Sequence, residues 1–325
     1  MMWRESLKGT VRMKTRSWRQ PVASWFRGQS QVWVEGGIDR LFTWVQHQDA
    51  DWVIKEQKRW ERVRDLQEER KMKRLKGETR IRVIQEERLE NGDIMMKVWV
   101  YQRYLYSIKE RFFEQEESNG FSIQLAEGGA GWFIMKCKVE PEMNTEVERD
   151  WSYYQPPDFG TRSGSSYNRM KAVQYAETWW NGANPRYQKF EVDCTNYVSQ
   201  CLHAGGIPME YSYQRARGWW YRGSRENWSY SWAVAHSLKN YLDKGGVHRA
   251  EIVDSPRQLQ PGDIICYDWD GNGRWQHNTV VTTLDASGEP LVNAHTVNSR
   301  HRYWDYRDSH GWTPQVQYRF YHIPD

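Results

Sequence analysis

Apolar residues repeat with two different periods in the first part of the chain. From about residue 30 to 76 the spacing is helical. Ile38, Leu41, Phe42, Val45, Trp52 and Val53 form one stripe, which gives way over residues 55–76 to charges of both signs. Glu56 with Arg59, Glu61 with Arg64 and Glu69 with Lys73 stand at pairing distance along a helix, which predicts a solvated face. From Thr79 the period drops to two. Ile81 and Val83, a turn at 90–93, residues 94–106 and 121–126, a glycine-rich turn at 128–131 and residues 132–139 predict four antiparallel strands.

A break follows, in which residues 146–150, Pro156-Pro157 and the stretch 160–166 read as a linker. Beyond it helices come first. Tyr167, Met170, Val173, Ala176 and Trp180 repeat at helical spacing, with Ser165 or Ser166 as cap and Asn181-Gly182 plus Asn184-Pro185 as stop. A second helix starts at Cys194, carries Tyr197, Val198, Cys201 and Leu202 on one face, and ends at Gly205-Gly206. A third spans about 232–243, capped by Ser231. Strands follow at 264–269, 277–284, 291–296 and 316–323. Asp268, Asp270 and Asn272 imitate the first ligands of a calcium loop, but Thr279 holds the position of its bidentate glutamate, so the segment reads as a hairpin turn. The pattern divides the chain into an arm (1–29), a helix-plus-meander α+β domain (30–142), a linker (143–164) and a second α+β domain (165–325).

Composition narrows the function classes. A net charge of +4 gives no field that by itself points to nucleic acid, and none is expected as a partner. The arm carries seven basic residues, Arg4 to Arg27, against Glu5. It reads as a solvated terminus, with contact to an anionic surface as the lesser reading. It contains no apolar run able to act as a signal-peptide core, and no stretch reaches transmembrane length; the expectation is a cytoplasmic chain. Cysteines at 137, 194, 201 and 266 form neither a CxxC pair nor a disulfide framework, so no metal and no cofactor is expected. The 20 Trp and 19 Tyr suit a groove for sugars or peptides, and equally an aromatic core.

Cys194 is the residue with chemistry to offer. In the first turn of a helix, free N–H groups and the positive end of the dipole favour thiolate over thiol. The residues around it carry a family resemblance: Asp193-Cys194-Thr195-Asn196 at a helix start, Gly205-Gly206 after it, Pro261-Gly262-Asp263 before an antiparallel sheet, and His277 opening the next strand. Together they resemble the papain-like amidases, whose near relatives are the NlpC-type and CHAP cell-wall peptidases. Asn184-Pro185-Arg186-Tyr187, the run from Asp193 to Cys201, and Trp275-Gln276-His277 are similar to the "Putative amidase domain" family of that clan, over about residues 165–325. The first domain, by pattern alone, resembles the cystatin-like cone that wraps a sheet around a long helix.

The resemblance implies a papain-like α+β fold with Cys194 as nucleophile and His277 as its base. His295 would orient the imidazole, with Asn293 as the alternative. The oxyanion would be met by the Cys194 N–H and a donor from Gln188 or Tyr187. Asp193 and Asn196 match the family pattern, and Trp219 and Trp220 would wall a substrate groove. The implied reaction is hydrolysis of an amide bond through a thioester, on a peptide or peptidoglycan-like substrate. A binding module that has lost its chemistry and a thioester-based acyltransferase are the rivals.

Overall fold

The computed structural model describes residues 17–47, 50–129, 131–140, 166–223 and 227–325. The first sixteen residues of the arm and the expected linker at 143–164 lie outside them. The rest of the arm is not a solvated terminus. It is the start of α1 (Arg19–Glu35), where Val22, Trp25, Phe26, Val32 and Trp33 are buried. Their helical spacing makes an apolar stripe that must find cover, whatever the surrounding arginines contribute to net charge.

A short 3-10 helix (Ile38–Trp44) leads to α2 (Asp51–Glu69), and then β1 (Lys73–Arg88), β2 (Ile94–Ile108), β3 (Arg111–Gly128) and β4 (Gly131–Val139) form the expected antiparallel meander. The β2–β3 hairpin begins earlier than the pattern predicted. Lys109 and Glu110 turn it with φ of 47° and 64°, the left-handed pair that matches strand twist and is usually signalled by Asn-Gly.

The second half contributes α3 (Arg169–Trp179), α4 (Cys194–Ala204), α5 (Tyr230–Ala233) and α6 (Ala235–Leu242). Asn168, not Ser165 or Ser166, caps α3, accepting from the Lys171 N–H at 3.0 Å. The expected third helix is broken at Val234, whose extended backbone (φ −119°, ψ 122°) separates α5 from α6. The strands are β5 (Glu251–Val253), β6 (Ile264–Asp268), β7 (His277–Leu284), β8 (Pro290–Ala294), β9 (Asn298–Tyr303) and β10 (Gln317–His322).

All ten strands belong to one sheet, in the order β1-β2-β3-β9-β8-β7-β6-β10-β5, with β4 also on β3. The seam is short: Glu116, Glu117 and Ser118 of β3 pair with Arg300, Ser299 and Asn298 of β9. Each half keeps its own apolar core, so this is an α+β structure in which two cores share a sheet. The charged face of α2, expected to be solvated, reinforces the seam. Arg59 and Arg62 donate to the carbonyls of Asp308, Arg307 and Ser309, Glu69 pairs with Arg307, and Glu56 with His310. Guanidinium groups that would otherwise be solvated are met by carbonyls of the second half, and the carboxylates of α2 by its Arg307 and His310.

Candidate active site around Cys194

The sequence Asp193-Cys194-Thr195-Asn196 folds as it does because its polar side chains tie the preceding loop to α4. Asp193 Oδ1 accepts from the Phe190 N–H (3.1 Å) and from Asn196 Nδ2 (2.8 Å). Asn196 Nδ2 also donates to the Gln188 carbonyl, and its Oδ1 accepts from Trp232 Nε1 at 2.8 Å. Asn196 therefore joins the 188–193 loop, α4 and α5, and both motif residues act on architecture.

His295 completes this scaffold. Its Nδ1 lies 2.7 Å from Asp193 Oδ2, its Nε2 lies 2.7 Å from the Trp179 carbonyl, and its ring stacks on Tyr197 at 4.0 Å. Both ring nitrogens thus face oxygen partners, one a side chain of the Cys194 motif and the other the backbone at the end of α3. Both its nitrogens are thereby taken, and it is not placed as the orienting partner of His277. Asn293 is also committed elsewhere: its Oδ1 accepts from Thr282 and the His301 N–H, and its Nδ2 donates to Glu177.

Cys194 is 1% exposed. Its sulfur lies 3.8 Å from Thr195 Oγ1 and within reach of the Asn278 N–H and the Thr296 hydroxyl. Burial pushes the thiol up, against those hydrogen bonds, so the helix start does not make the resting group a thiolate. Thr296 was not visible in the sequence as a site residue. It holds φ of 82°, costly for a β-branched residue, and its hydroxyl also accepts from the Asp193 N–H.

His277 is the first residue of β7, one step from Asn278. Asn278 Nδ2 donates to Thr195 Oγ1, so its side chain faces α4; by strand alternation His277 faces the other side of the sheet. There the imidazole lies among Tyr267, Trp269 and Tyr306, with ring centroids at 5.5, 5.6 and 5.3 Å. Burial, and then the charge of Arg302, push it down to about 3, so it rests neutral. Its Nε2 is buried without a hydrogen-bond partner. Among the described residues no hydrogen bond joins Cys194 to His277; the two meet through the Asn278 backbone.

The oxyanion candidates sit beside this loop. Gln188 gives its N–H to Tyr221 Oη (2.7 Å) and keeps a buried Oε1 without a partner. Tyr187 is stacked on Trp232 with Tyr221 tilted against it, and burial pushes its hydroxyl up to about 12. Trp219 and Trp220 do not wall a groove. They are buried, Trp219 donating to Ser199 Oγ against Trp232 and Trp220 to the Arg217 carbonyl.

A cavity of about 380 Å³ opens on the His277 side. Trp25, Trp52 and Trp60 line it from the first half, and Trp269, His277 and Tyr306 from the second. Its first-half wall was illegible because periodicity reports that a tryptophan is buried, not what it faces. Among the described residues no group of His, Cys, Asp and Glu is arranged to hold a metal ion, and no helix is long and apolar enough to cross a membrane.

The chain is 53% identical over 161 residues to the uncharacterized protein YhbB of Bacillus subtilis (strain 168), covering 49% of this chain and 51% of that protein. It is 24% identical over 206 residues to YjcM of the same organism, also uncharacterized, covering 57% and 46%. The chain thus spans about half the length of the curated relatives it matches. Among solved structures, the intermembrane space region of chloroplast protein ARC6 aligns with 39% of this chain and 97% of that one, at 13% identity and a TM-score of 0.30. Residues 166–321, which hold Cys194, His277 and the Asp193–His295 pair, match the model of the family described as "Putative amidase domain".

Proposed function

We propose that the second half hydrolyses an amide bond through a thioester on Cys194, with His277 as the base. One observation carries this reading. Cys194 heads α4 with its sulfur against the Asn278 N–H, one residue from a buried imidazole whose Nε2 has no partner and which lines a cavity. The family match supports amide hydrolysis. The resting pair is neutral thiol and neutral imidazole, so the proton must move as the bond forms. The ring rests on the far side of the strand, at its first residue, so the scheme requires it to come within hydrogen-bond reach of the sulfur when substrate enters. His277 takes the thiol proton while Sγ attacks the carbonyl carbon. The oxyanion is met by the Cys194 N–H and a donor at Gln188 or Tyr187; collapse expels the amine, which takes the proton back from the imidazolium. Water, deprotonated by His277, then attacks the thioester, releasing the acid and returning the proton to Cys194. Peptides of the peptidoglycan type are the substrate class that the family resemblance favours. Asp193 and His295 position α4 in this scheme without touching the reacting atoms.

The test is labelling with iodoacetamide at pH 7, the modified residue being mapped by mass. Cys194 is expected to react at least about ten-fold faster than Cys201 and Cys266, and His277→Gln to remove that advantage. Equal, slow labelling of all three would overturn the catalytic reading. It would favour a second one, a binding module on the same fold, for which the burial that raises Cys194 and lowers His277 already speaks. Were Cys194 reactive, added hydroxylamine would separate transfer to amines from hydrolysis by its hydroxamate product.

A further inference from the structure

The cavity between the halves has walls, charges and unmet hydrogen bonds that together describe a ligand. Its walls are indole and phenol rings. Trp25 and Trp52 lie 5.7 Å apart edge to face, Trp33 stacks on Tyr104 at 4.6 Å, and Trp269 and Tyr306 stand on the side of the second half. Such rings present flat apolar faces at little entropic cost.

Its buried charges are already matched. Glu56 is paired with Arg59 and His310, which hold its carboxyl well below the usual range although burial alone would raise it. Asp308 accepts twice from Arg302 Nε, at 2.9 and 3.1 Å, and Arg302 also stands 3.9 Å from Glu117. A charged ligand would find no free buried counterion here, and would have to break one of these buried ion pairs.

Among the described residues, three buried polar atoms remain unmet in the lining: the donor Trp25 Nε1, on a residue 2% exposed, Asn119 Oδ1, on a residue 5% exposed, and His277 Nε2, on a residue 8% exposed. A buried acceptor left unpaired forfeits the hydrogen bond it made to water, and a ligand that donates to Asn119 restores it. An acyl chain has no donor to offer, and an anion would meet a carbonyl oxygen and paired carboxylates. A neutral ring with apolar faces and a hydroxyl or acetamido edge satisfies every feature.

We propose that this cavity binds a neutral saccharide unit, gripped by the first half through Asn119 and the tryptophan faces. The first half is then the specificity wall of the site. The binding claim stands by itself; only the further point, that His277 sets the scissile amide next to the sugar, rests on the amidase reading.

The experiment titrates the full chain carrying Cys194→Ala with tri-N-acetylchitotriose, an uncharged tripeptide amide and dodecanoate, read by calorimetry and tryptophan emission. The trisaccharide alone is expected to bind and to change the emission. Asn119→Leu, close in shape but without the acceptor, is expected to weaken it by about ten-fold, and Trp52→Ala to do the same. Asn119→Leu decides the matter where Trp52→Ala disturbs packing, as thermal unfolding of each variant will reveal. Preference for the peptide or the fatty acid, no binding of any probe, or binding unchanged by Asn119→Leu would each overturn the proposal. Sugar binding with an inert Cys194 would sink the amidase reading alone; a reactive Cys194 without sugar binding would sink this one alone.

Discussion

Cys194 is bordered by two histidines in opposite surroundings. His295 has both nitrogens bonded and is fixed between Asp193 and the Trp179 carbonyl. His277 sits among aromatic rings, neutral, with one nitrogen unmet. The same side chain is thus a strut on one side of the cysteine and an open group on the other. Burial does not distinguish them, since they are 7% and 8% exposed; partners do. A fully bonded imidazole has nothing left to give a reaction, whereas an unmet one carries a cost that substrate or a turning ring can relieve.

The comparison breaks most readily at the strut. His295→Ala leaves Asp193 as a buried charge without its partner and is expected to cost about 3–5 kcal/mol in urea unfolding. A loss under about 1 kcal/mol would show that the pair is not the strut described.

The open group makes its mark through pH. The unfolded imidazole titrates near 6.5 and the folded one is pushed down to about 3. Below 6.5 the unfolded chain therefore binds a proton that the folded chain refuses, and stability falls as pH drops from about 6.5 toward 3. Between pH 7.5 and 4.5 this amounts to about 2–3 kcal/mol. His277→Gln is expected to lose that part of the wild-type slope, measured by urea midpoints across the range. An unchanged slope would place His277 in a wetter setting than the aromatic one.

The smallest effect sharpens the geometry between the two. Thr195→Val removes the acceptor of Asn278 Nδ2, which holds β7 to α4 at 3.0 Å. It is expected to cost about 1–2 kcal/mol and, by loosening the register of β7, to alter the alkylation rate of Cys194. An unaltered rate would mean that the Asn278 N–H alone positions the sulfur.

What could be read in advance follows from range. The meander, α4 with its Gly205-Gly206 end, and the strands of the second half are local patterns, and they are present. β9 is absent from that reading because Asn298–Tyr303 alternates too weakly, with Arg300, His301 and Arg302 in its middle. Those residues are polar because they face Glu116, Glu177 and Glu117, partners distant in the chain, and Asp308 in the turn that follows. The same holds for the charged face of α2, whose acceptors are carbonyls at 307–309. At the site, Cys194 and His277 were legible as types in order, and Asp193 and Asn196 as a motif. Which face of β7 the imidazole takes was not, since a side chain one residue along a strand points to the opposite side.

The seam between β3 and β9 has a consequence for how the chain reaches this state. Every other pairing in the sheet closes within one half of the sequence, whereas Glu116 and Arg300 are 184 residues apart. Loop-closure entropy grows with that separation, and it must be met before the few bonds of the seam return anything. Each half can gather its own core first, and the three-residue ladder is the strand pairing with the longest search. Until it closes, the edge of β3 at Glu116–Ser118 is an unpaired strand edge, open to a second copy of the chain, and its acidic residues are the guard against that encounter during synthesis.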